Sequence, residues 1–268
     1  MAYAIDRFGI AYESAAVLPV HNARQPQGTA SVESTLLDLP WGGAFDWRGA
    51  DHAQTAVDTR SISGLIVTAT EAELLGQLNL WRALVGTKSR LWRSDNGADR
   101  QWRMARCLGL TSELIPRARN QADVSLRFEL PPGPWQGAAR SETITLDTSP
   151  KSQAVTNGGN VIQRGVVLTV TAVGSAISDV TIENVTAGHV SAVRYTGSIA
   201  AGQALVLDCG AGTVRNHGVD DYARLMLLAG HTMREWLRLA PGSNPIQVTY
   251  TGGGAASTCI LAYHDAWA

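Results

Sequence analysis

Four residues constrain this chain more than any others. Pro131-Pro132-Gly133-Pro134 puts three prolines into four positions. Proline locks φ and has no N–H to donate, so neither a helix nor a paired strand runs through such a run. The segment PPGPWQGAAR, from Pro131 to Arg140, is therefore expected to continue neither element and to mark a boundary. The text differs on its two sides, which predicts two domains, residues 1–135 and 136–268.

Before the break, one stretch has a helical period. TATEAELLGQLNLWRALVG places Leu74, Leu78, Trp81 and Val85 at spacings of four, three and four, with Leu75 and Leu84 widening the stripe. This predicts one amphipathic helix. Thr70 and Glu73 have the spacing of a capping box, in which each side chain satisfies a free backbone N–H, and Gly86 is a stop that tolerates positive φ. The rest of this half reads as β. Residues 1–66 alternate loosely, as in SVESTLLDLPW, and TRSISGLIVTA (59–69) reads as a strand. Asn96-Gly97 lies between two aromatic, basic runs and predicts a β-hairpin over Arg90–Leu108, because both turn residues accept positive φ. QADVSLRFEL alternates Val124, Leu126, Phe128 and Leu130 onto one face, as a half-buried strand does.

After the break the text is almost entirely strand and turn: the short strand ETITLD, the turn-rich TSPKSQAVTNGGN, then VVLTVTAV, SDVTIENV, AVRYTGSI, ALVLDC, RLMLLAG, REWLRLA, NPIQVTY and TCILAYHDAW. Short strands with regular turns predict a β-sandwich. Composition agrees: charged residues are 17%, against roughly 25% for an average globular chain, and there are 27 glycines and 10 prolines. The fold class is mainly β.

The glycine-rich GSIAAGQALVLDCGAGTVRNHG looks at first like a site. Gly210-Ala211-Gly212 begins as a dinucleotide fingerprint does, but Arg215 stands where the third glycine belongs and no helical pattern follows to hold a phosphate. It reads better as strand, turn, short strand and turn, with Asp208 at a strand end accepting backbone N–H groups. Cys107, Cys209 and Cys259 form no CxxC and read as buried free thiols. The six histidines are scattered; His231 and Glu235 in HTMRE do not make a zinc-protease motif, and His217 near Asp220 and Asp221 is a weak metal signal. Catalytic, cofactor-binding and metal-ligating residues are predicted as none. No basic n-region opens the chain, so no signal peptide is expected, and no run of 18 apolar residues predicts a membrane span.

Net charge is −1, which argues against binding polyanions by bulk attraction. Locally the balance differs. From Trp81 to Arg106, seven basic residues (Arg82, Lys88, Arg90, Arg93, Arg100, Arg103, Arg106) against Asp95 and Asp99 leave an excess of five, with Trp81, Trp92 and Trp102 among them. Such a hairpin suits nucleic acid or a protein interface; it equally suits a solvated edge whose charge blocks aggregation.

The order of features resembles a known family. A turn-rich β start, TEAELL with its helix, a hairpin, then VSLRFEL before a proline break resemble the N-terminal ring domain of siphophage distal tail proteins. VTIENVTAGHVSAVRYTGSIAAGQALVLDC, TVRNHG and REWLRLAPGSNPIQVTY resemble that family's galectin-like sandwich, through Ala201-Gly202-Gln203, Leu205, Leu207-Asp208, Asn216-His217-Gly218 and Leu239 to Ile246. On this resemblance Pro241-Gly242 makes a tight turn that Asn244 caps, and His217 departs from the usual adjacent Asn-Gly.

The resemblance implies an N-terminal β-sandwich with one helix and a hairpin, the ring or belt domain, followed by a galectin-like β-sandwich. It implies a structural virion component and no enzyme: a homo-hexameric ring at the tail tip, assembled in the host cytoplasm. Its partners would be the tail tube protein, the tail-tip hub, the tape measure and receptor-binding proteins, with DNA passing through the lumen without specific binding and no membrane segment. Two other classes fit the residues, a carbohydrate-binding adaptor module and a polysaccharide hydrolase of a tail tip. Whether Arg90–Leu108 faces the lumen or a subunit interface is open at this stage.

Overall fold

The computed structural model describes residues 58–268 apart from 95–99, 117, 132, 189 and 227–235, together with four short strands before them. The chain divides into two compact units, Met1–Gly133 and Pro134–Ala268.

The first unit contains β1 (Ala11–Tyr12), β2 (His21–Arg24), β3 (Leu37–Asp38), β4 (Ala44–Phe45), β5 (Asp58–Val67), α1 (Glu71–Arg82), β6 (Lys88–Ser94), β7 (Arg100–Leu114) and β8 (Gln121–Leu130). Its antiparallel sheet has the order β1-β6-β7-β8-β5-β2, and β3 pairs β4 separately. Apart from these short strands, the loosely alternating stretch before residue 58 lies outside the described residues. β8 follows its period of two: Ala122, Val124, Leu126, Phe128 and Leu130 are buried and Asp123 and Arg127 are exposed. α1 packs on β7 and β8 through Leu74, Leu78 and Trp81.

The helix begins as its sequence dictates. Thr70 caps it, its side chain accepting the Glu73 N–H at 3.2 Å. The return bond falls one residue earlier than a capping box requires, from the Ala69 N–H to the Glu73 carboxylate at 3.0 Å. The helix ends at Arg82, earlier than the apolar stripe suggests, so the helical period does not carry on to Val85. That residue is exposed, as is Leu75, whereas Leu84 is buried. Gly86 has φ of +88°, as expected of a stop, but its N–H donates to Cys107 O rather than to a helix carbonyl.

The second unit contains β9 (Trp135–Thr145), β10 (Lys151–Asn157), β11 (Val167–Thr171), β12 (Ile177–Asn184), β13 (Ser191–Ile199), β14 (Ala204–Asp208), β15 (Thr213–Asn216), β16 (Val219–Asp220), a 3₁₀ turn at Tyr222–Arg224, β17 (Leu225–Met226), β18 (Gly242–Gly252) and β19 (Thr258–Trp267). One sheet runs β16-β15-β14-β11-β19-β9 and the other β10-β18-β12-β13-β17. Leu168, Val170, Leu205, Leu207 and Leu261 of the first and Val155, Ile182, Val193, Tyr195, Ile246 and Val248 of the second belong to one buried cluster. Each such aliphatic side chain contributes about 1.5–3 kcal/mol by leaving water. This is a β-sandwich.

Three expectations need correction. The chain resumes as a strand immediately after Pro134, because Trp135 to Thr145 pairs with β19, and Trp135 lies opposite Trp267. KSQAVTN is a strand rather than turn, an edge strand paired with β18. REWLRLA is not a ladder strand in its described part: Leu237 and Leu239 are buried, but a single bridge, Gln163 to Leu239, is its only pairing among the described residues.

Candidate functional site

In the second unit, the residues that look like a site are a buried polar frame. Asn244 is fully buried. Its side-chain oxygen accepts from the Ala240 N–H at 2.7 Å and from Asn184 Nδ2 at 2.9 Å. Its amide donates back to Ala240 O at 2.8 Å and Gly242 O at 2.9 Å. Gly242 has φ of +85°, so Pro241-Gly242 is the tight turn expected, and Asn244 caps it. Asn184 also donates to Arg238 O at 2.7 Å, tying β12 to the same loop.

The other glycine-rich turns are equally structural. Asp208 Oδ1 accepts the Ala211 N–H at 2.9 Å, as its place at a strand end suggests. His217 and Gly218 have φ of +51° and +78° and join β15 to β16, with Asn216 opposite Val219. Two central residues of positive φ make a type I′ turn, so His217 occupies the first central place and Asn216 the position before it. From there Asn216 Nδ2 donates to Tyr195 Oη at 2.9 Å and to Ser198 O at 2.9 Å. Tyr195 Oη in turn donates to Asp221 Oδ2 at 2.5 Å. Burial, then the Asp221 carboxylate, push the Tyr195 phenol up to about 12. Asp221 is thus occupied by Tyr195 and is not gathered with His217 and Asp220 toward a metal.

Sequence reasoning missed a second polar cluster at the chain's end. Asn157, fully buried, accepts the Gly159 and Ala266 N–H groups at 3.1 Å each and donates to Val161 O at 2.9 Å. Asp265 accepts from the Gly158 N–H at 2.7 Å and from Arg140 Nε at 3.0 Å. A Cβ on Gly159 would lie 1.7 Å from Ala266 O, which explains a glycine there. The signal available was a polar residue at an alternating position, such as Asn157 two residues after Val155.

The basic hairpin forms, with Trp92 directly opposite Trp102. Its turn, including Asn96-Gly97, and the side chains of Arg93 and Arg100 lie outside the described residues. The seven basic residues do not share a face. Arg103 is buried, alongside Leu91 and Ala105, and donates through its guanidinium to Pro131 O, anchoring the hairpin to the exit of β8. Arg82 sits at the helix end, bonded to Asn79. Lys88, Arg90 and Arg106 lie on the outer face with Trp92, Trp102 and Met104. There Arg90 stacks 4.4 Å above the Trp102 ring and the two indoles sit 6.4 Å apart at 51°. A cation held over an indole is a surface suited to contact.

Among the described residues, no group of three His, Cys, Asp or Glu side chains converges as a metal site would. His231 to Glu235 lie outside those residues. The three cysteines are buried and unpaired. Burial pushes the Cys209 and Cys259 thiols up to about 12 and raises that of Cys107. They are core side chains, not nucleophiles.

Comparison with known proteins fits this picture. Residues 158–267 match the family model described as siphovirus-type tail component, C-terminal domain. Among solved structures, the SPP1 Dit (gp 19.1) protein, described as a paradigm of the hub adsorption apparatus in phages that infect Gram-positive bacteria, has a TM-score of 0.63 at 14% identity, with 96% of this chain and 98% of that one covered. A chain of the phage P2 baseplate in its activated, Ca-containing conformation has a TM-score of 0.42 at 8% identity, covering 97% of this chain and 99% of that one. No curated protein matches. The sandwich of the second unit is thus similar to the C-terminal domain of siphovirus-type tail components. Along nearly its whole length the chain has the fold of SPP1 Dit.

Proposed function

We propose that this chain forms a homo-hexameric ring at the tail tip, with residues 1–135 as the ring or belt domain and residues 136–268 as a galectin-like domain outside it. The ring joins the tail tube protein to the tail-tip hub and carries receptor-binding proteins; the tape measure and then DNA occupy its lumen. It assembles in the host cytoplasm and ends in the virion. The observation that carries this reading is the pairing of a tail-component sandwich at 158–267 with a preceding unit whose sheet presents a basic, aromatic outer face.

The test is the mass of the purified full-length protein by light scattering. A particle of six chains is the expected result. A monomer at high concentration would overturn the ring and favour a carbohydrate-binding adaptor, which glycan binding by the same preparation would then reveal.

A further inference from the structure

β10 ends its sheet, and only one side of its backbone is paired. Its seven residues stand in unbroken register with β18. Val155 O lies 3.4 Å from Asn244 Nδ2, on the side of β18. Just before the strand, Ser149 Oγ accepts the Tyr250 N–H at 2.9 Å and donates to Tyr250 O at 2.8 Å. Pro245, opposite Ala154, turns its carbonyl the other way, toward the Val185 N–H. Lys151, Gln153 and Val155 therefore direct their N–H and C=O groups at β18, and Ser152, Ala154 and Thr156 direct theirs away from the sheet. Of these outward groups, Thr156 O accepts from Tyr263 Oη at 2.8 Å. The Thr156 N–H and both groups of Ser152 and Ala154 meet no partner among the described residues.

A regular edge is a template for another strand, and sheets blunt it with short strands, bulges, proline or outward charge. The other end of this sheet is blunted, since β17 is two residues long. β10 has no bulge, and Ser152, Ala154 and Thr156 are small, uncharged and exposed. Its one charge, Lys151, is held by Asp147 at 2.8 Å.

We propose that β10 pairs antiparallel with β10 of a second copy, across a two-fold axis at Ala154. In this register Ala154 exchanges both bonds with its mate, and each Ser152 does so with the other copy's Thr156, whose carbonyl uses its second lone pair. Every outward group then has a partner. Registers shifted toward the start of the strand set Thr156 or Ala154 opposite Pro150, which has no N–H. Serine–threonine pairs are favourable across strands, and Lys151 falls opposite Asn157, so no like charges meet. The contact covers 7 residues a side, against roughly 20–30 for a stable interface, so it is weak and forms as concentration rises. A two-fold contact is isologous, unlike the contact between neighbours in a ring of six, so it goes beyond the proposed ring and does not depend on it.

Sedimentation equilibrium of the full-length protein tests it. The mass should double between dilute and concentrated solution. The starting mass reports on the ring and the doubling on this contact, so the failure of one is told from the failure of the other. Ala154→Pro removes an outward N–H and leaves the β18 ladder whole; doubling should then need at least about tenfold more protein. Ala154→Lys sets like charges opposite each other at the axis and should do the same, as should Ala154→Glu. Mixed in equal amounts, the Lys and Glu variants should regain doubling, because each pair then joins opposite charges. Circular dichroism checks that each variant is folded; should the proline variant not fold, the two charge variants read the same contact. A wild type whose mass never doubles, a doubling that the folded variants leave unchanged, or a mixture that does no better than its parts overturns the inference.

Discussion

Replacing Asn244 by Ala is the sharpest test of what holds the sandwich together. The side chain is fully buried and bonds to Ala240, Gly242, Asn184, Thr186 and Val155. Removing it strands the Ala240 N–H, whose bond is 2.7 Å long, and the Ala240 carbonyl, both in a residue that is itself buried. Gly242 is exposed, so water can replace the bond to its carbonyl, and Asn184 keeps its bond to Arg238 O. Two buried groups are therefore orphaned, at about 1–3 kcal/mol each. With a small cavity added, the expected loss is about 3–5 kcal/mol. In urea, where stability falls by about 1–3 kcal/mol per molar, the midpoint should drop by a molar or more.

The assay is urea unfolding of the full-length chain, followed by circular dichroism, against Ser243→Ala as an exposed neighbour. Asn244→Leu separates the causes. It restores the volume but neither the donor nor the acceptor, so it should be as damaging as Ala. A loss below about 1 kcal/mol in Asn244→Ala, or a rescue by Leu, would refute the hydrogen-bond account, since an unmet buried amide alone exceeds that figure.

Leu78→Ala should cost about 2–5 kcal/mol, because the side chain is 2% exposed beneath the helix; urea unfolding measures it, and a change under about half a kcal/mol would mean that α1 does not pack there. His217→Asn should stabilise the chain by up to about 1 kcal/mol, since Asn tolerates a φ of +51° better than His in a type I′ turn; an unchanged or lower melting temperature contradicts it. Cys209 and Cys259 should resist a thiol reagent at pH 8 in the folded protein and react fully in denaturant. Their raised values also fix a sign: the folded chain keeps these protons longer than the unfolded one, so their contribution is intact below the ordinary thiol value of 9.0 and is lost as pH rises toward about 12. Stability that increased over that range would contradict this.

The elements legible in the sequence are those whose signal is local. The strand at 121–130 and the helix after Thr70 are stated by period and cap, and both form where that signal lies. Only the end of β9 was legible, as the strand ETITLD; its start was not, because its reason for existing is distant: Trp135 pairs with Trp267, at the far end of the chain, and no local period announces that. β10 has the opposite difficulty. It is an edge strand with one face in water, and only Val155 and Asn157 are buried, so its seven residues read as a polar turn. REWLRLA alternates as a strand does, and Leu237 and Leu239 are buried accordingly, yet alternation reports burial and not pairing.

The same distinction governs the basic hairpin. A net excess of five over Trp81–Arg106 sums residues on opposite faces, and parity alone already separates Arg103 from Arg106. What parity could not supply is the bulge between Cys107 and Gly109. Before it, the even residues Trp102, Met104 and Arg106 face outward; after it, the odd residues Gly109, Thr111 and Glu113 do, in register with Arg127, Ser125 and Asp123. One extra residue, Leu108, shifts the pairing by one and so exchanges the faces of everything beyond it. Without it Glu113 would stand opposite Ala122, on the side that carries the core. Glycine beside a strand's extra residue is the local trace of such a bulge, and Gly109 is that trace here.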